Sequence, residues 1–214
     1  MKPTLVARAR DLDVWQFTFA EPPGELARVL SADEHATAAR FASDAHRDAY
    51  IVQHATVRVL AARYLGIDAA RVAFERGRHG KPRLRDAADL ELNLSHCDDV
   101  ALVAFARGIA VGVDVERVAA DLDVRALGRL VLAPSETAIA ADRRGFLRVW
   151  CRKEACLKAT GVGLLDDLTS VSVASDRVDV AGDVVNVQDL AVGTAHAAAL
   201  ATSRPVVLEL APTS

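Results

Sequence analysis

The sequence predicts an α+β protein built of two halves of similar size that meet near Arg107. One observation is a helical period of apolar residues over positions 42–66, and a second is the set of alternating segments that follows it. The third is that helical and then alternating patterns return after Glu116. We therefore divide the chain into an N-terminal half, residues 1–107, and a C-terminal half, residues 108–214.

The N-terminal half has its strongest helical pattern at residues 42–66, with Ser43 as the candidate N-cap and Gly66 as the stop signal. A weaker helical pattern at residues 26–41 is interrupted at Ser31, which offers a second cap. Alternation after the long helix predicts strands at residues 72–75, 90–94, 100–105 and 109–116.

The C-terminal half begins with the last of those strands and then returns to a helical period. Pro134 and Ser135 mark the start of a middle helix, and Gly161 ends a third. The predicted helices are residues 124–132, 135–144 and 146–160. Alternation in the tail predicts strands at residues 168–173, 177–180, 184–187, 195–201 and 206–210.

Composition excludes several classes of protein. The chain has 214 residues, 51% of them hydrophobic, and a formal net charge of −3, which argues against a disordered tail and against general attraction to nucleic acid or an anionic membrane. The longest apolar run, residues 100–106, is far short of the ~20 residues that span a bilayer, and the first 19 residues lack a signal-peptide pattern. We therefore expect a cytoplasmic protein. Its three cysteines lack the spacing of a disulfide framework or a zinc site.

Two carboxylates share one face of the strand predicted at residues 109–116. Because side chains alternate along a strand, Asp114 and Glu116 project together from the face opposite Val113. Gly112 beside them would permit a close backbone approach. Taken alone, the pair is also what the polar face of an ordinary half-exposed strand looks like.

A third carboxylate lies on the last predicted helix. Trp150, Glu154 and Lys158 are spaced four residues apart and therefore share one helical face. In isolation this is an ordinary surface ion pair beside a core tryptophan. Clustered with the two strand carboxylates, however, Glu154 would suffer strong repulsion unless a cation neutralised the group. Oxygen ligands of this kind suit Mg²⁺ completed by substrate phosphates, to which Lys153 and Lys158 would add positive charge.

Two loop motifs add candidates for phosphate binding. The segment 77–82 is not a Walker motif, because only two residues separate its glycines and Pro82 stands where a hydroxyl would ligate magnesium. Lys81 nevertheless remains a candidate phosphate ligand. Ser95 and His96 lack the nucleophile elbow of a hydrolase and are better interpreted as a phosphate-binding corner.

In their order along the chain, these motifs resemble those of the 4′-phosphopantetheinyl transferases of the surfactin-type, two-half group. The motifs are Gly80-Lys81-Pro82, Asn93-x-Ser95-His96, Gly112-x-Asp114-x-Glu116 and Trp150-x-x-Lys153-Glu154-Ala155-x-x-Lys158. A further block, Asp44-Ala45-His46-Arg47, is also similar to that family. The resemblance covers about residues 41–164, and the tail after Asp167 matches only in strand character.

The resemblance implies an enzyme that moves the phosphopantetheine arm of coenzyme A to a serine of a carrier protein and releases adenosine 3′,5′-bisphosphate. It also implies a pseudo-twofold arrangement of the halves, with the active site between them. The roles that it assigns by motif position are Mg²⁺ binding for Asp114, Glu116 and Glu154; contact with the α-phosphate and help to the leaving group for Lys158; recognition of the 3′-phosphate for Arg47 and His96; and contact with coenzyme A for Lys81, Ser95 and Lys153. Glu154 would be the base, directly or through a metal-bound water.

This sequence departs from the family pattern at one point. Related sequences often carry lysines ahead of the Asp-Ala-His-Arg block, whereas residues 32–41 here offer only His35 and Arg40 as basic groups. Coenzyme A binding would therefore depend more heavily on Arg47.

The expected partner is an acidic carrier protein, and the enzyme is expected to act as a monomer. Residues 117–153 contain eight basic and four acidic residues, a local excess that suits an acidic partner but is also typical of solvated helix faces. The alternative function is a non-catalytic module of the same fold that binds a carrier protein or a nucleotide. A nucleic-acid binder is disfavoured, because the chain lacks the net charge and the interleaved aromatic residues.

Overall fold

The computed structural model describes residues 2–19, 22–77, 80–98, 100–119, 122–163 and 167–210. The chain opens with a hairpin of two strands and continues through helices α1 and α2 to a run of four further strands. The elements of this part are β1 (Thr4–Ala9), β2 (Leu12–Thr18), a 3₁₀ helix (Gly24–Val29), α1 (Ala32–Ala38), α2 (Asp44–Leu65), a 3₁₀ helix (Ala69–Arg71), β3 (Phe74–Arg76), β4 (Pro82–Leu84), β5 (Leu90–Cys97) and β6 (Val100–Arg107).

The second part begins with a strand, passes through two α-helices and ends in four strands. Its elements are β7 (Val111–Arg117), α3 (Val124–Val131), a 3₁₀ helix (Pro134–Glu136), α4 (Arg143–Thr160), a 3₁₀ helix (Leu168–Ser170), β8 (Arg177–Val180), β9 (Asp183–Asp189), β10 (His196–Thr202) and β11 (Glu209–Leu210).

Two antiparallel sheets and two long helices form stacked layers. The five-stranded sheet has the order β11-β1-β2-β6-β5, and the four-stranded sheet has the order β7-β10-β9-β8. Alternate residues of β6 face opposite sides: Leu102 packs with Val113 and Leu200 of the other sheet, whereas Val103 packs with Leu60 of α2. The far face of the four-stranded sheet packs on α4. The layers therefore run α2, five-stranded sheet, four-stranded sheet, α4, and the predicted α+β class is confirmed.

Local signals set the helix ends as the sequence predicts. Ser31 caps α1 through a capping box, in which its hydroxyl accepts from the Glu34 N–H and the Glu34 carboxylate accepts from the Ser31 N–H. Gly66 ends α2 with φ at +67°, and Gly161 ends α4 with φ at +69°, a conformation that costs glycine little. The two main helices therefore begin and end within a few residues of their predicted bounds.

Some predicted elements are wrong. The helix predicted at residues 135–144 is absent: the short 3₁₀ helix Pro134–Glu136 is followed by turns at residues 137–142, and α4 begins only at Arg143, because the Glu136 side chain turns inward and binds the core. The predicted strand at 168–173 is also absent, and the 3₁₀ helix Leu168–Ser170 takes its place. The hairpin β1–β2 and strand β4 were not predicted. Residues 78, 79 and 99, which belong to predicted loops, lie outside the described residues.

The last strand crosses the predicted division of the chain. β11 pairs with β1, so that Glu209 lies opposite Arg8 in the five-stranded sheet. The four-stranded sheet is drawn wholly from residues after 107. Within the described part of the chain, no helix has the length and apolar character needed to cross a membrane.

Candidate functional site

The site forms where strand β7 lies directly against helix α4. A Cβ built on Gly112 would lie 2.1 Å from the carbonyl oxygen of Ala155 and 2.4 Å from the backbone nitrogen of Ala159, so only glycine permits this approach. Gly112 shares a strand face with Asp114 and Glu116, and this face lies against the helix that carries Glu154 and Lys158. The tight contact therefore brings the predicted carboxylates of strand and helix together.

Asp114 is the centre of the site. It is 3% exposed, and its Oδ1 accepts hydrogen bonds from Lys158 Nζ at 2.6 Å and from Ser95 Oγ at 2.8 Å. Lys158 Nζ also donates to Ser95 Oγ at 3.0 Å. The other oxygen, Oδ2, is buried and accepts no hydrogen bond from the described residues. A buried carboxylate oxygen without a donor is costly, which indicates that this atom is reserved for a ligand.

The carboxyl groups of Glu116 and Glu154 interact electrostatically with the Asp114 carboxylate. Burial and the nearby Asp114 carboxylate raise the pKa of Glu116, although a hydrogen bond from Trp150 opposes this shift. Burial and Asp114 also raise the pKa of Glu154, and Lys158 opposes that shift. The predicted convergence of three carboxylates and one lysine is therefore present, with more negative than positive charge.

The donor set suits a hard divalent cation. Three carboxylates, one of which has a buried, unpartnered oxygen, are the kind of ligands that Mg²⁺ takes, together with water and substrate phosphate. As they stand, no three acidic, histidine or cysteine side chains among the described residues are spaced to hold a metal ion together. The residues therefore fit Mg²⁺ in chemistry, and binding requires the side chains to rearrange.

The edges of β5 and β7 are linked by side chains from the first part of the chain. Asn93 Oδ1 accepts from the Val113 N–H at 2.8 Å, and Lys81 Nζ donates to the Val111 carbonyl at 3.0 Å. Lys81 also lies 3.5 Å from a carboxylate oxygen of Glu91, and burial lowers its pKa. Lys81, predicted as a nucleotide contact, therefore also anchors β7 beside the first sheet.

His96 and Arg47 occupy more open positions. The His96 ring meets Phe19 edge to face, with 6.1 Å between ring centroids. Partial burial and the positive charges of Lys158 and His54 lower the pKa of His96. Arg47 lies at the first turn of α2, where it pairs with Asp44 at 2.7 Å and Asp48 at 3.2 Å. His96 thus borders the carboxylate cluster, whereas Arg47 is paired within its own helix.

Lys153 lies apart from this cluster in the structure, and its role in phosphate binding remains a prediction. Its side chain is 1% exposed, and its Nζ lies 2.8 Å from Glu136 Oε2. The same nitrogen donates to the carbonyls of Val131 and Leu168 at 2.6 and 2.8 Å. The physical reason is helical geometry: Lys153 precedes Glu154 by one residue, so it points about 100° away, into the core.

A cavity in the first part of the chain was not predicted from the sequence. It has a volume of about 600 Å³ and lies between helices α1 and α2 and strands β3, β4 and β5. Glu34 on its wall binds His54 Nδ1 at 3.2 Å and Arg58 Nε at 2.6 Å. Burial alone would raise the pKa of Glu34, but the hydrogen bonds from His54, Ser31 and Arg58 lower it to about 2. The spacing of His54 and Arg58, one helical turn apart, was the available signal.

The basic segment 117–153 is only partly a surface feature. Arg152 and Lys153 are buried and paired with acidic groups, so they are not available to a partner. Other basic residues of the segment are exposed, namely Arg117, Arg125, Arg129, Arg143, Arg144 and Arg148. Asp121, one of its acidic residues, lies outside the described part of the chain.

Comparisons with known proteins agree with this geometry. Residues 110–186 match the family model described as the 4′-phosphopantetheinyl transferase superfamily, and residues 15–107 match the model described as 4′-phosphopantetheinyl transferase, N-terminal. The chain is 31% identical over 174 residues to the 4′-phosphopantetheinyl transferase HetI of Nostoc. These aligned residues cover 76% of this chain and 73% of that protein.

Two further relatives bear the same activity in their names. The 4′-phosphopantetheinyl transferase of Bacillus subtilis is 29% identical over 154 residues, which cover 68% of this chain and 66% of that protein. The phosphopantetheinyl transferase of Thraustochytrium is 29% identical over 157 residues, which cover 64% of this chain and 54% of that protein. None of these names supports the alternative of a non-catalytic module.

Proposed function

This chain belongs to the 4′-phosphopantetheinyl transferase superfamily, and we propose that its β7–α4 site carries out that transfer with Mg²⁺. The substrate is coenzyme A, and the acceptor is a serine hydroxyl of a carrier protein. The observation that carries the proposal is the buried Asp114 carboxylate, with one oxygen on Lys158 and the other unpartnered, beside Glu116 and Glu154.

The three carboxylates have a common binding role. Asp114, Glu116 and Glu154 would hold Mg²⁺ against the diphosphate of coenzyme A. When bound, the ion neutralises charge on the diphosphate and so favours displacement at phosphorus. Burial, and after it the charge of Asp114, raises the pKa of both Glu116 and Glu154, and a bound cation would oppose both effects.

The chain's own residues move the proton and stabilise the leaving group. The serine oxygen forms a bond to the β-phosphorus as the bond from that phosphorus to the bridging oxygen breaks. Glu154 accepts the serine proton as the general base. Lys158 donates to the α-phosphate and stabilises the adenosine 3′,5′-bisphosphate that leaves.

Coenzyme A recognition falls mainly to the N-terminal half, and metal binding to the C-terminal half. Ser95 and His96 at the end of β5 lie next to Asp114 and Lys158, which supports their role at the phosphates. The cavity of about 600 Å³ offers room for the nucleotide end. Arg47 would contact the 3′-phosphate only after exchanging its contacts with Asp44 and Asp48. We also propose that the chain acts as a monomer of the surfactin-type group, with pseudo-twofold halves around this site.

We further propose that the carrier protein presents an acidic surface to the exposed arginines of the second half. Arg125 and Arg129 on α3 are exposed, as is Arg148 on α4. Charge complementarity of this kind speeds association, and this effect weakens as the ionic strength rises.

The test is the intact mass of an apo carrier protein after incubation with this enzyme, coenzyme A and Mg²⁺. We expect a gain of one phosphopantetheine that EDTA abolishes. Glu154→Gln should reduce the rate by about 100-fold or more, because the base and a metal ligand are lost together. Asp183→Asn, which removes an exposed carboxylate at the start of β9, is the matched control and should leave the rate unchanged. Full activity of Glu154→Gln would remove Glu154 from the mechanism.

A further inference from the structure

The Lys158 ammonium occupies the position on Asp114 that a metal cation would take. The ammonium lies 2.6 Å from Oδ1 of a carboxylate whose side chain is 5% exposed, while Lys158 itself is 28% exposed. Ser95 Oγ donates to the same oxygen at 2.8 Å. Lys158 is thus the cation that balances the most buried acid of the cluster, and its side chain is less buried than that of Asp114.

The same lysine has a second partner in the reaction. In the proposed function Lys158 contacts a phosphate, yet here its Nζ contacts Asp114, Ser95 and the Val113 carbonyl, the last at 3.4 Å. One ammonium has three protons to donate, and three oxygens already lie within hydrogen-bond distance of this one. Lys158 therefore must leave at least part of this set before it can bind a phosphate fully.

We propose that Lys158 is a placeholder cation on Asp114, so that the divalent metal and the diphosphate bind to this enzyme as a coupled pair. The inference rests on the proposed function. When the diphosphate arrives, it draws Lys158 away from Asp114 and so frees Oδ1 beside the unpartnered Oδ2. Without the diphosphate, a metal ion must compete with the Lys158 ammonium and therefore binds weakly.

The surrounding charges favour this exchange. Removal of Lys158 alone would leave the buried Asp114 carboxylate without the cation that pairs with it, so departure of the lysine is favoured when another cation replaces it. The coupling is reciprocal: if the diphosphate tightens metal binding, the metal must tighten diphosphate binding by the same factor. The three side chains, which are not spaced for a metal as they stand, would gather once the lysine has moved.

The experiment measures Mn²⁺ binding by electron paramagnetic resonance, first on the free enzyme and then with coenzyme A and no carrier protein. Lys158→Met should bind Mn²⁺ alone about tenfold more tightly than the wild-type enzyme, and coenzyme A should tighten Mn²⁺ binding less in the variant than in the wild type. Arg148→Gln is the matched control. It removes one positive charge from the same helix, where Arg148 pairs with Asp189, and should leave Mn²⁺ binding to the free enzyme unchanged.

The outcomes are separable. Equal or weaker Mn²⁺ binding by Lys158→Met, or an equal gain in Arg148→Gln, overturns the placeholder role even if the wild-type enzyme transfers phosphopantetheine normally. If the wild-type enzyme neither transfers nor binds Mn²⁺ with coenzyme A, the proposed function fails and this inference fails with it. Thermal unfolding checks that the variant is folded. If Lys158→Met does not fold, Lys158→Gln, whose amide can still donate to Asp114, carries the same expectation.

Discussion

The buried ion pair between Lys153 and Glu136 should stabilise the fold rather than bind substrate. Lys153 is the only cation within contact of the Glu136 carboxylate among the described residues, and the two side chains are 1% and 0% exposed. Glu136 also accepts the N–H groups of Ala133 and Val173, both at 2.7 Å. The pair therefore joins α4 to the turn after α3 and to the segment before β8.

Lys153→Met keeps the length of the side chain and removes its charge. Loss of one partner from a buried pair costs about 3–5 kcal/mol, because the other charge stays buried without compensation. The two backbone donors to Glu136 place the expected loss near the lower end of that range. For a chain of this size, each kcal/mol lowers the melting temperature by about 2–4 °C, so the variant should melt roughly 6–12 °C lower.

Urea unfolding followed by circular dichroism measures this loss, with KM for coenzyme A determined in parallel. The double variant Glu136→Gln with Lys153→Met should recover part of the lost stability, because no buried charge remains. Arg148→Gln, whose ion pair is partly exposed, should lose about 1 kcal/mol or less. The reasoning is refuted if Lys153→Met unfolds at the wild-type urea concentration but raises KM for coenzyme A, since Lys153 would then be a phosphate ligand.

Two further substitutions test the packing and the electrostatics. Gly112→Ala should lower the melting temperature sharply and reduce transfer, because its Cβ would overlap the Ala155 carbonyl at 2.1 Å and force β7 away from α4; an unchanged melting curve would contradict this contact. Glu34→Gln should be less stable than the wild type at pH 7. Because folding lowers the pKa of Glu34 from 4.5 to about 2, that difference is present above pH 4.5 and should shrink as pH falls from about 4.5 toward 2. A difference in urea midpoint that stays constant over this pH range would show that the Glu34 charge does not supply the stability.

Much of the candidate site could be predicted from local pattern. Alternation places Asp114 and Glu116 on one strand face, and helical spacing places Glu154 and Lys158 on one helix face. That these two faces meet could not be derived from either pattern; it was a hypothesis that the resemblance to the family supported. Gly112 indicated that a neighbouring backbone could approach closely at this position. In the structure this residue is the point of contact between strand β7 and helix α4.

Other features depended on contacts that no local pattern contains. Residues 135–144 have a helical period, yet the Glu136 side chain binds the Val173 N–H, 37 residues away, and pairs with Lys153. Strand β11 joins a strand at the other end of the chain. The cavity of about 600 Å³ is formed by two helices and three strands, so no single segment of the sequence predicts it.

Local spacing predicts the class of the fold, the resemblance to the family and the shared faces of the carboxylate residues, because these depend on short-range geometry and on residue types at fixed intervals. The different surroundings of the two neighbouring lysines, in contrast, follow from tertiary packing. Lys153 and Lys158 lie on one helix, and both are compatible with phosphate binding by charge. Packing of β7 against one face of α4 places Lys158 on Asp114, whereas Lys153 faces the core and pairs with Glu136. Desolvation and ion pairing of a helical side chain depend on which elements pack against its face of the helix. Those elements come from distant parts of the chain, so the local sequence does not specify them.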